Sequence, residues 1–273
     1  MAGWVVLDEV RRGFSIFAIT LAALGGASAI ALADTLIGTD AAEQLTGTGS
    51  ADQIYGEGGE DRISGEASGD YLEAGSGNDQ VDGGDGVDLI LGGTGDDRID
   101  AGTGFDVVYA GAGADVALGG AGADTLFGQA GTDQLFGGSG ADRIYASLGG
   151  DFVDAGSGAD RISSDQDDAT ILGGPGADVV TADGGAIEVN GGGGRDRIRT
   201  GSFADRVTGG GGADAIDTGL GDDLVRSRDG KRDHVRCGEG QDSVDADPID
   251  LLRGCEITEA RPATRRLRRS PAG

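Results

Sequence analysis

The chain has 273 residues and a formal net charge of −27, with 57 glycines, two cysteines and a single histidine. Such acidity repels phosphate backbones and sets nucleic acid aside as a partner. One histidine and one pair of cysteines are too few for a histidine- or thiolate-based zinc centre, and 4% aromatic residues leave no aromatic core to build.

Taken in chain order, residues 1–33 read as an export signal. Arg11 and Arg12 precede an uncharged stretch from Gly13 to Ala33 that ends in Ala31-Leu32-Ala33, an A-x-A cleavage pattern. The stretch is also long enough to span a bilayer, so an uncleaved anchor is the alternative. Cleavage would leave a secreted chain with no membrane insertion. The run Arg11-Arg12-Gly13-Phe14 loosely resembles a twin-arginine signal, but the general secretory route suits a chain that folds outside the cell.

Residues 38–226 divide into twenty-one consecutive nine-residue blocks without an insertion. Successive blocks read GGDGVDLIL from Gly83 and GGTGDDRID from Gly92, and later ones read GGAGADTLF, GGSGADRIY and GGPGADVVT. Position eight is apolar in every block, from Leu45, Ile54, Ile63 and Leu72 to Val225, and position six is Asp in eighteen of the twenty-one. A period this strict excludes a helix bundle and predicts stacked coils. In each block the glycine-rich residues form a turn and the last three form a short strand. Alternation along that strand turns position eight inward and positions seven and nine outward. The resulting core is a thin column of Ile, Leu and Val.

This GGxGxDxUx pattern resembles the RTX, or haemolysin-type, calcium-binding repeats. The resemblance implies an all-β, right-handed parallel β-roll, a β-solenoid in which two nonapeptides make one coil, here about ten coils. It also implies multiple Ca2+ ions held between the Asp-bearing turns of successive coils. The residues agree with that implication, because a hard cation takes six to eight oxygens and short carboxylates mixed with turn carbonyls supply them. The alternative is that the Asp residues only cap turns.

If two blocks make a coil, even and odd blocks stack on opposite edges. The even column holds Asp52, Asp70, Asp88, Asp106, Asp124, Asp142, Asp160, Asp178, Asp196 and Asp214. The odd column begins with Glu43 and runs through Asp61, Asp79, Asp97, Asp115, Asp133 and Asp151. It fails at Ala169 and Ile187 and resumes with Asp205 and Asp223. The two defective blocks keep Ile171 and Val189 at position eight, so they read as metal-free coils held by packing; Asp165, Asp167 and Asp168 are an alternative, improvised site. Ser50, Ser68 and Phe203 replace the position-four glycine and mark poorer gaps, and the best-formed run lies between Gly75 and Asp160. Residues 34–256 carry 45 acidic and 14 basic side chains, or −31. Without cations, a glycine-rich chain of that charge with one core residue in nine cannot offset its ordering entropy, so metal binding is expected to be coupled to folding.

After Val225 the register slips by one residue in SRDGKRDHV, a last block CGEGQDSVD begins at Cys237, and Cys255 closes the segment. The domain reading is therefore a signal over 1–33, the β-roll over 34–236, a last repeat and cap over 237–256, and a basic, disordered tail over 257–273. Cys237 and Cys255, eighteen residues apart in an exported chain, are expected to form a disulfide that locks the cap. This ending resembles the C-terminal segment of many exported calcium-binding repeat proteins. Many RTX proteins leave the cell through an uncleaved C-terminal signal instead, and the N-terminal signal here departs from that pattern.

No enzymatic site assembles. His234 stands alone, no serine is framed as G-x-S-x-G, and the only lysine, Lys231, is in no phosphate loop. One outward stripe stands out: Leu91, Tyr109, Phe127 and Tyr145 recur at eighteen-residue intervals on the even blocks and form a partner face for an extracellular polysaccharide, another cell-surface partner or a second copy. The alternative is that such aromatics only help neighbouring strands pack. The sequence thus predicts an exported, non-enzymatic calcium-binding roll. An adhesive or structural surface protein, or a polysaccharide-binding accessory module using Ca2+ only for rigidity, is the competing expectation.

Overall fold

The computed structural model describes residues 34–165 and 167–258. The export signal expected over 1–33 and nearly all of the basic tail lie outside these residues. Among the described residues there are 31 strands and no helix, hence none long and apolar enough to cross a membrane.

Each strand pairs in parallel with the strands one coil away. Val108 lies beside Ile90 on one side and Leu126 on the other, each eighteen positions off. Two long ladders result. Even blocks form a 13-stranded sheet from Thr35–Ile37 to Leu251–Arg253, and odd blocks form the main path of a 15-stranded sheet from Gln44–Thr46 to Ile257–Thr258. Positions three and four of even blocks also pair, through Asp85–Gly86 and Thr103–Gly104 early in the roll and through Pro175–Gly176, Gly193–Gly194 and Gly211–Gly212 later.

The roll has about 12 turns, two more than the nonapeptide count predicts. The extra residue at the register slip is absorbed in a turn: His234 and Val235 pair with Ala215 and Ile216, nineteen positions back, and stacking continues beyond them. Stacking continues past Cys237, where Ser243 and Val244 pair with Ile257 and Thr258. A single-residue insertion in a glycine turn leaves strand register intact, which is why the slip does not end the stack.

The core is wider than one residue in nine. Ile54, Leu72, Ile90, Leu126 and Ile144 are fully buried at position eight, as expected. Position one is buried too, by Ala74, Ala101, Ala110, Ala146 and Ala155, and by Thr218 and Cys237. Strand alternation runs unbroken from position six through eight to one, so all three point inward. In the central coils the strands also run further than three residues, as in Leu89–Thr94 and Val116–Gly122, because the glycine turn stays extended long enough to pair.

At the end of the roll a disulfide joins Cys237 to Cys255 across a Cα–Cα distance of 5.2 Å. Cys237 takes the inward position one, and its carbonyl accepts a hydrogen bond from the Thr218 hydroxyl at 3.0 Å. The disulfide ties the first residue of one block to the turn that follows strand Leu251–Arg253.

Candidate metal centre

Position six decides the chemistry, because it faces the interior and not the rim. Asp124, Asp133, Asp142, Asp178 and Asp196 are wholly shielded from solvent, and the other column residues nearly so. The defective blocks support the same placement. Where Asp is lost, Ala169 and Ile187 occupy its buried place, and an apolar side chain fits there because the site is interior.

Each carboxylate divides its two oxygens between two tasks. Oδ1 of Asp142 accepts the backbone N–H of Asp124, one coil earlier, at 2.9 Å, and Oδ1 of Asp124 accepts from Asp106 at 2.9 Å. The chain of such bonds in the even column runs unbroken from the N–H of Asp34 to the carboxylate of Asp250. In the odd column it runs from Glu43 to Asp151, stops, and resumes where the N–H of Ile187 donates to Asp205 at 2.9 Å. Oδ1 thus completes the main-chain ladder through the turn, as a cap does.

Oδ2 has no such task. In nineteen Asp residues, from Asp61 to Asp242, this oxygen is buried and accepts no hydrogen bond. It lies over the first residue of its own block: a side chain added at Gly92, Gly119 or Gly137 would meet Oδ2 of Asp97, Asp124 or Asp142 at 2.7–2.8 Å. Oδ1 lies on the position-four side of the same turn, where the carbonyl of Gly104 faces the Cα of Gly122 one coil on. Both carboxylate oxygens therefore sit beneath the glycine turn. Native interiors leave only a few polar atoms per hundred residues without a partner, and an ionised one costs several kcal/mol, so nineteen demand a counter-charge or a proton.

The electrostatics say the same. Burial pushes the carboxyls of Asp97, Asp133 and Asp178 up to about 7, against the lowering effect of the backbone N–H each accepts, and the like charges above and below add to the rise. Asp70, Asp106, Asp160, Asp196 and Asp233 are raised to about 6 for the same reasons.

The donor set fits a hard divalent cation. Among the described residues, no three His, Cys, Asp or Glu side chains converge, so any ion held here must draw on main-chain oxygens as well as on Asp. Mixed carboxylate and carbonyl donors suit Ca2+ and not a thiolate- or imidazole-seeking metal.

The structure places every column residue of the sequence pattern on its expected edge, with neighbours eighteen apart. Asp205 and Asp223 resume the odd column where the pattern puts them, and the structure adds Asp233, hidden by the register slip, and Asp242, position six of the last block. All four have an orphaned Oδ2 and a raised carboxyl like the rest. Asp167 and Asp168 are exposed on the turn and each accepts one amide, from Gly149 and from Ala186, so neither joins the buried column. Thr48 donates to the Asp52 carboxylate, which supplies that residue's Oδ2 with a partner the deeper ones lack.

A family model for RTX calcium-binding nonapeptide repeats matches the chain in segments that together run from residue 37 to 186 and from 190 to 225. This chain belongs to the RTX calcium-binding repeat family. The match breaks at residues 187–189, inside the second block that lost its Asp. No curated protein matches the chain. The repeats are calcium-binding, and their number implies several ions.

The outward aromatic stripe is real but self-occupied. Tyr109 stacks on Phe127 with ring centroids 4.6 Å apart and planes 4° from parallel, and Phe127 stacks on Tyr145 at 4.8 Å and 7°. Both faces of Phe127 are thus covered by its neighbours, and the ring edges point outward. Leu91 lies in register beside Tyr109 and ends the stack on that side.

Proposed function

We propose that this protein is an exported, non-enzymatic calcium-binding protein whose roll folds as Ca2+ enters between its coils. The observation that carries the proposal is the row of nineteen buried Oδ2 atoms with nothing to accept. The residues that would hold the ions are the even column from Asp52 to Asp214 and the odd column from Asp61 to Asp151, with carbonyls of the glycine turns. Asp205, Asp223, Asp233 and Asp242 extend both columns. The ion supplies positive charge where stacked carboxylates otherwise repel. The chain holds the carboxylates in register, keeps water from Oδ2 and fixes Oδ1 on the ladder. Export rests on the Arg11–Ala33 sequence pattern and on the disulfide, which belongs to oxidising compartments.

A second reading takes the roll as a surface or adhesive shaft that calcium only stiffens. It is favoured by the continuous aliphatic core, in which Ile54, Leu72, Ile90 and Leu126 are fully buried. Far-UV circular dichroism after chelation, titrated with calcium and with magnesium as control, separates the two. A coil-to-β transition driven by calcium alone is the expected result. An unchanged β spectrum in chelator would overturn coupled folding and leave the shaft.

A further inference from the structure

The outer face of the even sheet carries a charge opposite to that of the molecule. From strand Arg143–Tyr145 to strand Leu251–Arg253, positions seven and nine place Arg143, Arg161, Arg197, Arg199, Arg236 and Arg253 on the surface, all exposed, against one carboxylate, Asp217. The earlier half of the same face adds only Glu73, whose carboxylate accepts from the Tyr71 hydroxyl at 2.7 Å. The odd sheet has no such bias. There Arg62, Arg98, Arg206 and Arg226 are matched by Asp82, Asp100, Asp154, Glu188 and Asp245. On a chain of net charge −27, a carboxylate-poor arginine face is a specific arrangement and not an average.

Most of these arginines are not used within the molecule. Arg199 approaches Asp183 at 3.9 Å and Arg236 approaches Asp217 at 3.6 Å, both at the surface. Among the described residues, Arg143, Arg161, Arg197 and Arg253 make no ion pair. Moreover Arg143 lies in register beside Arg161, and Arg236 beside Arg253. Like charges directly opposite on neighbouring strands weaken a sheet, so the fold gains nothing from them. At the end of the strip the small Ala215 leaves a groove of about 440 Å³, lined by His234, Arg236, Leu251 and Arg253.

The shape of the strip selects the partner. Seven parallel strands at a spacing of about 4.8 Å make it roughly 29 Å long, and two residues of rise make it about 7 Å wide. That is the footprint of one extended chain, not of a globular surface. Single-stranded nucleic acid has that shape but needs open aromatic faces on which to stack its bases. Here Phe127 is covered on both faces, and beyond Tyr145, which lies in register beside Ser163, the strip offers no further aromatic ring on which a run of bases could stack. A linear glycan bearing carboxylates needs no stacking platform, and arginine forks recognise carboxylates bidentately.

We infer that the Arg143–Arg253 face of the even sheet docks a linear, uronate-bearing polysaccharide. The inference does not depend on which residues hold calcium, so the two readings fail separately.

The test uses the full chain in calcium, titrated calorimetrically at low ionic strength with hyaluronan fragments, and with neutral dextran and single-stranded DNA as comparisons. The parent is expected to bind hyaluronan and not dextran. The triple variant Arg161→Gln, Arg197→Gln, Arg253→Gln is expected to bind at least about tenfold more weakly. Arg62→Gln, Arg98→Gln, Arg206→Gln, with the same change of charge on the other face, is expected to stay within about twofold. Circular dichroism checks that both triples keep the roll, and Arg161→Glu alone serves if the first does not. No binding by the parent, equal losses in both triples, or DNA bound as tightly as hyaluronan would each overturn the inference.

Discussion

The N–H of Asp124 donates to Oδ1 of Asp142 at 2.9 Å, while Oδ2 of the same Asp142 is buried and accepts nothing. One carboxylate therefore serves as a ladder acceptor and as an unpaired charge at once, and substitution can separate the two roles. Asp142→Asn keeps an oxygen for the ladder and removes the charge. In chelator it is expected to keep more β structure than the parent, because one buried charge no longer opposes folding. Calcium affinity at the flanking gaps is expected to fall by roughly tenfold. Circular dichroism in chelator and calorimetry with calcium measure the two effects, and β content in chelator no higher than the parent's across the pH range would remove the buried-charge argument.

Acidity should act in the same direction as calcium. The column carboxyls are raised in the folded roll, to about 7 for Asp97, Asp133 and Asp178, above their ordinary value of 3.8. Between those limits the folded state binds more protons than the unfolded one, so its stability falls as pH rises through the folded values. In chelator the roll should therefore hold more β structure at about pH 5 than at about pH 8. Calcium should bind less tightly at the lower pH, where protons compete for the same oxygens. Loss of β structure on acidification in chelator would contradict the sign.

Close approach of coils fixes certain glycines and not others. A Cβ on Gly122, whose φ is +146°, would collide with the carbonyl of Gly104 one coil earlier, whereas one on Gly193 meets nothing within 4 Å. Gly122→Ala is expected to cost about 2 kcal/mol or more, and Gly193→Ala to change stability by less than about 1 kcal/mol. Urea midpoints of the two calcium-loaded variants make the comparison.

The stacked rings offer a stability prediction. Phe127→Ala removes two parallel contacts at 4.6 and 4.8 Å and should cost about 1–3 kcal/mol. Hyaluronan affinity should be unchanged, because the faces lost were never open. A weakened glycan isotherm from a folded Phe127→Ala would return the partner face to the aromatics.

The disulfide should protect only the last coils. Replacing Cys237 and Cys255 by serine opens a loop of 18 residues, for which chain entropy predicts a loss of about 3 kcal/mol. Because solenoid coils contact only their neighbours, hydrogen exchange should speed up in strand Leu251–Arg253 and leave the central coils protected. Uniform loss of protection would mean that the roll opens as one unit.

Much of this was legible in the primary structure because the period is strict. Position eight named the buried column from Leu45 to Val225, and position six named both Asp edges, including the gap at Ala169 and Ile187. Three things were not legible. Small residues at position one look like turn chemistry, and only strand alternation past position nine shows that Ala101 and Ala110 are core. The slip at SRDGKRDHV hides that Asp233 continues the even column, because a turn that absorbs one residue shifts the nine-residue count. The two oxygens of each Asp cannot be told apart in a sequence. The choice between a turn cap and a metal ligand was open there because Oδ1 has the cap's geometry and Oδ2 has a ligand's.

The interruption at Ala169 and Ile187 falls on one edge only, while the even column passes it unbroken. A beam braced continuously along one flange and cut along the other flexes at the cut. In a calcium-loaded roll the coils between Asp151 and Asp205 would be that point, where Asp151, Ala169, Ile187 and Arg206 line a surface groove of about 230 Å³. Loading would then set not only rigidity but curvature, bowing the two halves of the rod about a fixed place in the sequence.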